Sequence, residues 1–573
     1  MKLPNFSSDF LILLPLWLYS VIAIRRKAVW MQSFMLVIFS QNAPYSLRLA
    51  DYVPLYSAKT HQFTIDLADY IPIYLAKTKI FSIFVTDIFN KSYMDKLIGR
   101  TQEKQELQNL YHSDKPEFVA IYGRRRVGKT FLVKELFQDK MTFYHSGLSP
   151  YDKERKITMR DQLEAFYASL MRYGMEENRC PKSWLEAFEM LGKLLESLDD
   201  GERQVIFIDE LPWMDTARSR FIVAFEHFWN TWGAWHDRVM LIVCGSATSW
   251  MLDNLINNKG GLYDRLTWQI KLSPFTLGEC KSFFEARNIV MSDYDIIECY
   301  MVLGGIPYYM NYFQRGKSLA QNIDMLFFQR GAKLESEFRR LFSSLFSNPD
   351  DYMSVVKLLS RRHIGFTREE IVRHLGLTSG GSFSKMMESL VASDFVKTYR
   401  PFALQDNSVR YKLSDCFCQF FLTFVEGQRV NDTAFWQHNQ NSAAMNAWRG
   451  ITFEQVCFNH IGQIKRALGV ESVASEETAW IVRGDEDRHG AQIDMLIIRA
   501  DRVVNLCEMK FLSNEYEPNA SDELALRNRI AVLQEKLSFK QNIHLTLVTT
   551  LGLKQNTHSG VFQQVVTIKQ LLN

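Results

Sequence analysis

Residues Gly123-Arg124-Arg125-Arg126-Val127-Gly128-Lys129-Thr130 set two glycines, an ammonium and a hydroxyl at the spacing GxxxxGK[ST]. That combination suits phosphate. The glycines let backbone N–H groups converge on phosphate oxygens, and the N-terminus of a following helix adds a favourable dipole. Lys129 is placed to neutralise β- and γ-phosphates, and the Thr130 hydroxyl to ligate Mg²⁺. A second pair, Asp209 and Glu210, ends the apolar run Val205–Ile208. Asp209 is expected to face the Mg²⁺ shell through water, and Glu210 to polarise the attacking water. The expected cofactors are ATP and Mg²⁺.

A separate constellation lies near the C-terminus. Asp494 sits inside the apolar run AQIDMLII, and thirteen residues separate it from Glu508, with Lys510 two further on. A lone carboxylate in a buried strand is costly. Strand periodicity puts Glu508 and Lys510 on one face, and a hairpin brings Asp494 beside them. Two carboxylates that bind Mg²⁺, with a lysine to stabilise charge on phosphate, make a phosphodiester-cleaving site. Glu454, on an upstream helix, is the third acid. The same side chains also fit a plain ion-pair cluster that holds a hairpin together.

These groups need elements to position them. FVAIY (118–122), MTFYHSGLS (141–149), VIFIDE (205–210) and VMLIVCGSA (239–247) are buried strand runs alternating with helical patterns. That alternation predicts an α/β fold with a doubly wound parallel sheet covered on both faces. From Thr276 the pattern turns helical, punctuated by GGIPYY (304–309). Residues 350 to 415 read as three helices and a hairpin, with Thr367 and Glu370 forming a capping box. This is a winged-helix pattern. Its candidate recognition helix carries Ser382, Ser384 and Lys385, flanked by Arg361, Arg362, Arg368, Arg373, Lys397 and Arg400. A winged helix serves DNA and protein partners alike. A polar stretch at 430–446 reads as a linker, and a second α/β segment follows from Trp448. The boundaries are then 94–275 for the sheet domain, 276–345 for a helical lid, 346–430 for the winged helix and 431–573 for the last domain.

At 573 residues the chain needs several cores, and a formal charge of +3 gives no global basic field for nucleic acid. Any such contact is local. The eight cysteines lack zinc spacing and read as buried thiols of a reducing cytoplasm. Residues 1–93 differ from the rest. Phe10 to Ile24 is apolar but falls short of the ~20 residues of a membrane span. LADYVPLYSAKT (49–60) recurs as LADYIPIYLAKT (67–78), too few copies for a solenoid. The expectation is an over-extended start, with Met94 opening the functional chain. The rival expectation is a short membrane anchor.

GRRRVGKT, FIDELPWM, CGSATSWM, LYDRLTWQIKLSPF and GGIPYYM, in that order, resemble the AAA-type ATPases first described mainly from archaea and also common in bacteria. LIGRTQEKQEL resembles that family's usual opening. The resemblance implies that Ser246 is a polar sensor near the γ-phosphate and that Arg265 reads nucleotide state. The C-terminal pattern E…D-x13-E-x-K resembles the PD-(D/E)xK nuclease-like domain that often follows this module. Together these imply a Mg²⁺-dependent ATPase that acts on DNA and cuts it. The alternative is an ATP-driven switch whose last domain only binds nucleic acid or a protein. DNA and further copies of the chain are the expected partners.

Overall fold

The computed structural model describes residues 97–150, 155–257, 260–262, 264–346, 348–402, 409–427, 432–482, 491–536 and 541–573. The apolar run at 10–24 and the repeat at 49–78 lie outside them. None of the described helices is long and apolar enough to cross a membrane.

Unbroken apolar runs make the first sheet. Strands β1 (Glu117–Tyr122), β2 (Met141–Ser146), β3 (Gln204–Asp209), β4 (Val239–Gly245) and β5 (Trp268–Lys271) lie parallel in the order β2-β3-β4-β1-β5. Alternate side chains enter different cores. Phe118, Ala120, Ile206, Ile208, Leu241 and Val243 pack with the helices Met159–Arg172, Trp184–Ser197 and Phe221–Thr231. Val119, Ile121, Val205, Phe207, Met240 and Ile242 face the helix Lys129–Phe137 and the lid. Both faces are covered, so β3 and β4 are buried along their whole length.

The lid contains the helices Leu277–Ala286, Asp293–Leu303, Leu319–Phe327 and Glu337–Leu345. Capping boxes at Thr276/Glu279, Ser292/Asp295 and Ser318/Gln321 start three of them. Beyond it come the helices Pro349–Leu359, Arg368–Leu375 and Gly381–Ala392, with β6 (Phe366–Thr367), β7 (Val396–Tyr399) and β8 (Arg410–Leu413). These strands pair antiparallel in the order β6-β8-β7. The Thr367/Glu370 capping box is present, with Thr367 N–H donating to Glu370 Oε2 at 2.8 Å.

The stretch expected as a linker is docked instead. Phe435–Asn439 is a helix whose Trp436 is buried against Phe420 and Trp448, with ring centroids 5.3 and 5.6 Å away. The backbone N–H of Trp436 donates to Asp324 Oδ1 at 2.7 Å. Two aromatic residues among polar ones are enough to anchor it. The next helix starts at Ala443 and runs to Asn459, earlier than the Trp448 expected.

The last domain folds around β9 (Ser475–Val482), β10 (Ala491–Arg499), β11 (Val503–Lys510), β12 (Asn542–Thr549) and β13 (Gln564–Thr567). Their order is β13-β12-β11-β10-β9, with β9, β10 and β11 antiparallel and β11, β12 and β13 parallel. The helix Ala520–Lys536 crosses over between β11 and β12. One face packs on that helix through Trp480, Leu506, Leu526 and Leu533. The other shares a continuous core with the lid and the nucleotide sheet through Met495, Cys507 and Met509.

His460 pins the lid to this domain. Its Nε2 accepts the Leu277 N–H at 3.0 Å, while Nδ1 donates to Val456 O at 2.8 Å. Burial pushes the imidazole down from 6.5 to about 4. The unfolded chain therefore takes up this proton first as pH falls. The stabilisation is complete above pH 6.5 and is lost between there and about 4. Melting curves across that window should fall less steeply with acid in His460→Gln than in wild type. Equal slopes would remove His460 as the cause.

Candidate functional site

The phosphate loop joins β1 to the helix Lys129–Phe137. Gly123 has φ 138°, and a Cβ there would come within 2.3 Å of the Leu272 carbonyl, just past the neighbouring strand β5. No other residue type fits. Lys129 is buried, and its Nζ donates to the carbonyls of Gly123 at 2.9 Å and Arg124 at 3.1 Å. Burial lowers its pKa, with Glu210 and Asp209 opposing the shift. The Thr130 hydroxyl donates to Asp209 Oδ2 at 2.8 Å. Desolvation first, then the Glu210 charge, push Asp209 up to about 6. A hydroxyl and a carboxylate side by side form an all-oxygen donor pair that suits a hard divalent cation.

Glu210 follows Asp209 in the left-handed region at φ 48° and lines the cleft. Ser246, at the end of β4, donates from its backbone N–H at 3.0 Å and its hydroxyl at 2.8 Å, both to Glu210 Oε2. Ser246 thus orients the Glu210 carboxylate. Gly128, Lys129, Thr130 and Glu210 line a cleft of about 440 Å³, closed on the lid side by Pro307, Tyr308 and Asn311.

The loop arginines divide their work. Arg124 is buried, ion-paired with Asp415 and 4.9 Å from the Phe395 ring centroid. Arg126 pairs with Glu337 of the lid and lies over the Tyr308 ring at 4.4 Å. Arg125 lies 5.9 Å from the Trp213 ring centroid. Val127 is buried in the sheet–lid core. Arg265 is exposed in the turn leading into the edge strand β5 and does not line the cleft; Arg100, Arg125, Arg126 and Arg287 do.

Arg100 was not assigned a role from sequence, although it closes the LIGR segment. Its Nη2 donates to Val127 O at 3.2 Å and Ser273 O at 2.6 Å, and its backbone N–H donates to Glu279 Oε1 at 2.7 Å. It ties the phosphate loop to the start of the lid. Arg100→Ala should raise the KM for ATP about tenfold while sparing kcat, because it loosens the loop and touches no reacting atom. Steady-state kinetics on the variant would show this; a pure kcat loss would contradict it.

In the last domain the four residues singled out above come together. Met495 pairs with Cys507, which places Asp494 opposite Glu508 on the β10–β11 hairpin. The β9–β10 register shifts between Ile493 and Leu496, both of which enter the outer core. This bulge leaves Asp494 and Met495 free to turn towards the helix that bears Glu454. Glu508 is buried, and its carboxylate takes the Lys510 ammonium at 2.8 Å and the Arg529 guanidinium. Desolvation and mutual repulsion hold Glu454 and Asp494 above the ordinary carboxylate range. Among the described residues, no three of His, Cys, Asp and Glu are grouped as metal ligands. Both oxygens of Glu508 are engaged, one by Lys510 and the other by Arg529. Repelling acids are nonetheless what a divalent cation neutralises.

The helix Gly381–Ala392 packs against Thr248–Met251, next to Ser246. Arg362 and Arg410 are engaged by Glu370, and Arg368 by Ser379 and Gly380. Arg361, Arg373, Lys385 and Arg400 are exposed.

Residues 97–313 match the ATPase domain predominantly from Archaea. An uncharacterized protein of Methanocaldococcus jannaschii is 22% identical over 410 residues, covering 68% of this chain and 82% of that one. An uncharacterized ATP-binding protein of the same organism is 37% identical over 43 residues, 8% of this chain and 73% of its own. A Walker-type ATPase of Pyrococcus abyssi aligns at 17% identity and TM-score 0.41, over 57% of this chain and 96% of that one.

Proposed function

From a P-loop ATPase domain at residues 97–313 as premise, we propose that the chain couples Mg²⁺-dependent ATP hydrolysis to action on DNA by its C-terminal half. In this reading residues 349–413 are a winged helix and the last domain is nuclease-like. The observation that carries it is the convergence of Glu454, Asp494, Glu508 and Lys510 on a bulged hairpin next to the helix Ala443–Asn459. The order of elements, a helix, three antiparallel strands, a crossover helix and a parallel strand, supports the same reading.

At the ATP site, Lys129 and the loop N–H groups bind and orient the phosphates. Thr130 and Asp209 would hold Mg²⁺, which when bound would supply charge neutralisation at the β- and γ-phosphate oxygens. Glu210, fixed by Ser246, orients the attacking water and accepts its proton. At the second site Asp494 and Glu508 would hold a divalent cation, Lys510 would stabilise charge on the scissile phosphate, and Glu454 would complete the acid set.

The engagement of Glu508 by both Lys510 and Arg529 favours a second reading, in which this domain only binds. Incubating the full chain with supercoiled plasmid and Mg²⁺ or Mn²⁺, with and without ATP, separates the two. Nicking or linearisation supports the nuclease. Retardation of the DNA without any cut supports the binding module.

A further inference from the structure

One short piece of chain, Lys412–Asp415, links the carboxylate cluster to the phosphate loop. At its end Asp415 meets Arg124, both side chains nearly inaccessible. Among the described residues Arg124 Nε and Nη2 have no hydrogen-bond partner, so Asp415 is the partner its guanidinium depends on. In the middle, Leu413 O accepts from Gln455 Nε2 at 2.5 Å and Ser414 O from Asn459 Nδ2 at 3.3 Å. Gln455 and Asn459 belong to the helix that carries Glu454. At the start, Lys412 Nζ lies 4.8 Å from the Phe458 ring centroid, one turn along from Glu454. Glu454 and Asp494 are the carboxylates within electrostatic reach of its ammonium. Lys397, paired with Lys412 across β7 and β8, donates to Phe458 O and Asn459 Oδ1 of the same helix.

We propose that Lys412 is a member of the carboxylate site supplied by the preceding domain, and that the Arg124–Asp415 pair sets its position according to the nucleotide in the phosphate loop. The Lys129 ammonium is held by the Gly123 and Arg124 carbonyls. Bound phosphate competes with those carbonyls for it, which frees the Arg124 peptide to turn. Arg124 then carries Asp415 with it, because parting a buried pair is more costly than moving it. Leu413 and Ser414 pass the shift to the helix bearing Glu454, and Lys412 moves relative to the acids. Positive charge among these acids opposes a divalent cation there, so nucleotide state tunes the cleft. This consequence rests on the nuclease-like reading above; the linkage rests on the contacts alone.

Hydrogen–deuterium exchange on the full chain tests it, with Glu210→Gln present so that ATP stays bound. Mg·ATP should protect residues 121–130 and change exchange rates at 410–416 and 452–460 by about fivefold or more. Asp415→Asn keeps the oxygen that accepts Cys418 N–H and removes the charge. In that variant protection at 121–130 should persist and the response at 452–460 should vanish. Should Asp415→Asn fail to fold, Gln455→Met decides: the response at 410–416 should stay and that at 452–460 should weaken, since only the Asn459–Ser414 link then remains between the two backbones. An unchanged response at 452–460 in the variants, or none in the parent, overturns the linkage. Absence of DNA cleavage leaves these readouts unmoved and bears on the nuclease reading instead.

Discussion

Lys129→Ala lowers ATP affinity at least about 100-fold, whereas Glu210→Gln leaves affinity within about twofold and cuts turnover by about 10²–10³. The two losses differ because the side chains meet the nucleotide at different stages. Lys129 is a buried cation held by loop carbonyls, poised within the loop that takes the β- and γ-phosphates. Removing it takes away the main counter-charge for bound phosphate and leaves two carbonyls short of a donor. In the proposed mechanism Glu210 acts when charge develops on the water. Ser246 engages one of its oxygens, and glutamine preserves that oxygen while losing the basic one. The left-handed backbone at Glu210 is shared by glutamine, so the substitution adds no new strain. Fluorescent-nucleotide titration measures the first effect and phosphate release the second. Turnover by Glu210→Gln equal to wild type would move the water-activating role to another residue. A Ser246→Ala chain should turn over at a rate between wild type and Glu210→Gln, because Glu210 keeps its charge and the backbone N–H of residue 246 but loses the hydroxyl.

The parts of the fold that depend on local pattern were legible in the sequence. The unbroken apolar runs of β1 and β3 implied a sheet covered on both faces, and Thr367 with Glu370 a helix start that the structure contains. What depended on distant partners was not legible. The phosphate-loop pattern places Arg124 and Arg126 among the nucleotide-binding residues, and Arg126 lines the cleft. Their side chains pair with Asp415 and Glu337, far along the chain, and no local signal encodes that. Arg100 likewise meets Ser273 and Glu279, 173 and 179 positions along the chain. The polar stretch at 430–446 resembled a linker by composition, but the burial of Trp436 outweighed its polar neighbours. In the second cleft the positions of Asp494, Glu508 and Lys510 followed from strand periodicity. The bulge at Asp494 and the hold of Arg529 on Glu508 did not, since both depend on how separate strands and the crossover helix dock.

The same docking sets the terms for the riskier experiment. With Mn²⁺ and plasmid DNA, Asp494→Asn should abolish cutting, a loss of at least about 10² in rate, because it removes a metal ligand while keeping the shape of the bulge. Glu508→Gln is a harsher change than it looks. It leaves the Lys510 ammonium and the Arg529 guanidinium without their carboxylate, so some loss of melting temperature should accompany the loss of cutting. Lys510→Met should keep cation binding and still slow the chemistry about 10²-fold, since it strips a stabilising charge and no ligand. Arg529→Met gives the sharpest contrast. It frees one Glu508 oxygen, so a site that works through a cation should bind Mn²⁺ more tightly in this variant, while a mere ion-pair staple should only lose stability. ATP turnover should survive all four changes, because Asp494, Glu508, Lys510 and Arg529 belong to a different sheet and crossover helix from Lys129 and Glu210. Calorimetric Mn²⁺ titration, run beside the cleavage assay, tells the two readings apart. No Mn²⁺ binding in wild type or in Arg529→Met, with DNA retained but uncut, would leave the carboxylate cluster as structure and the last domain as a binding module.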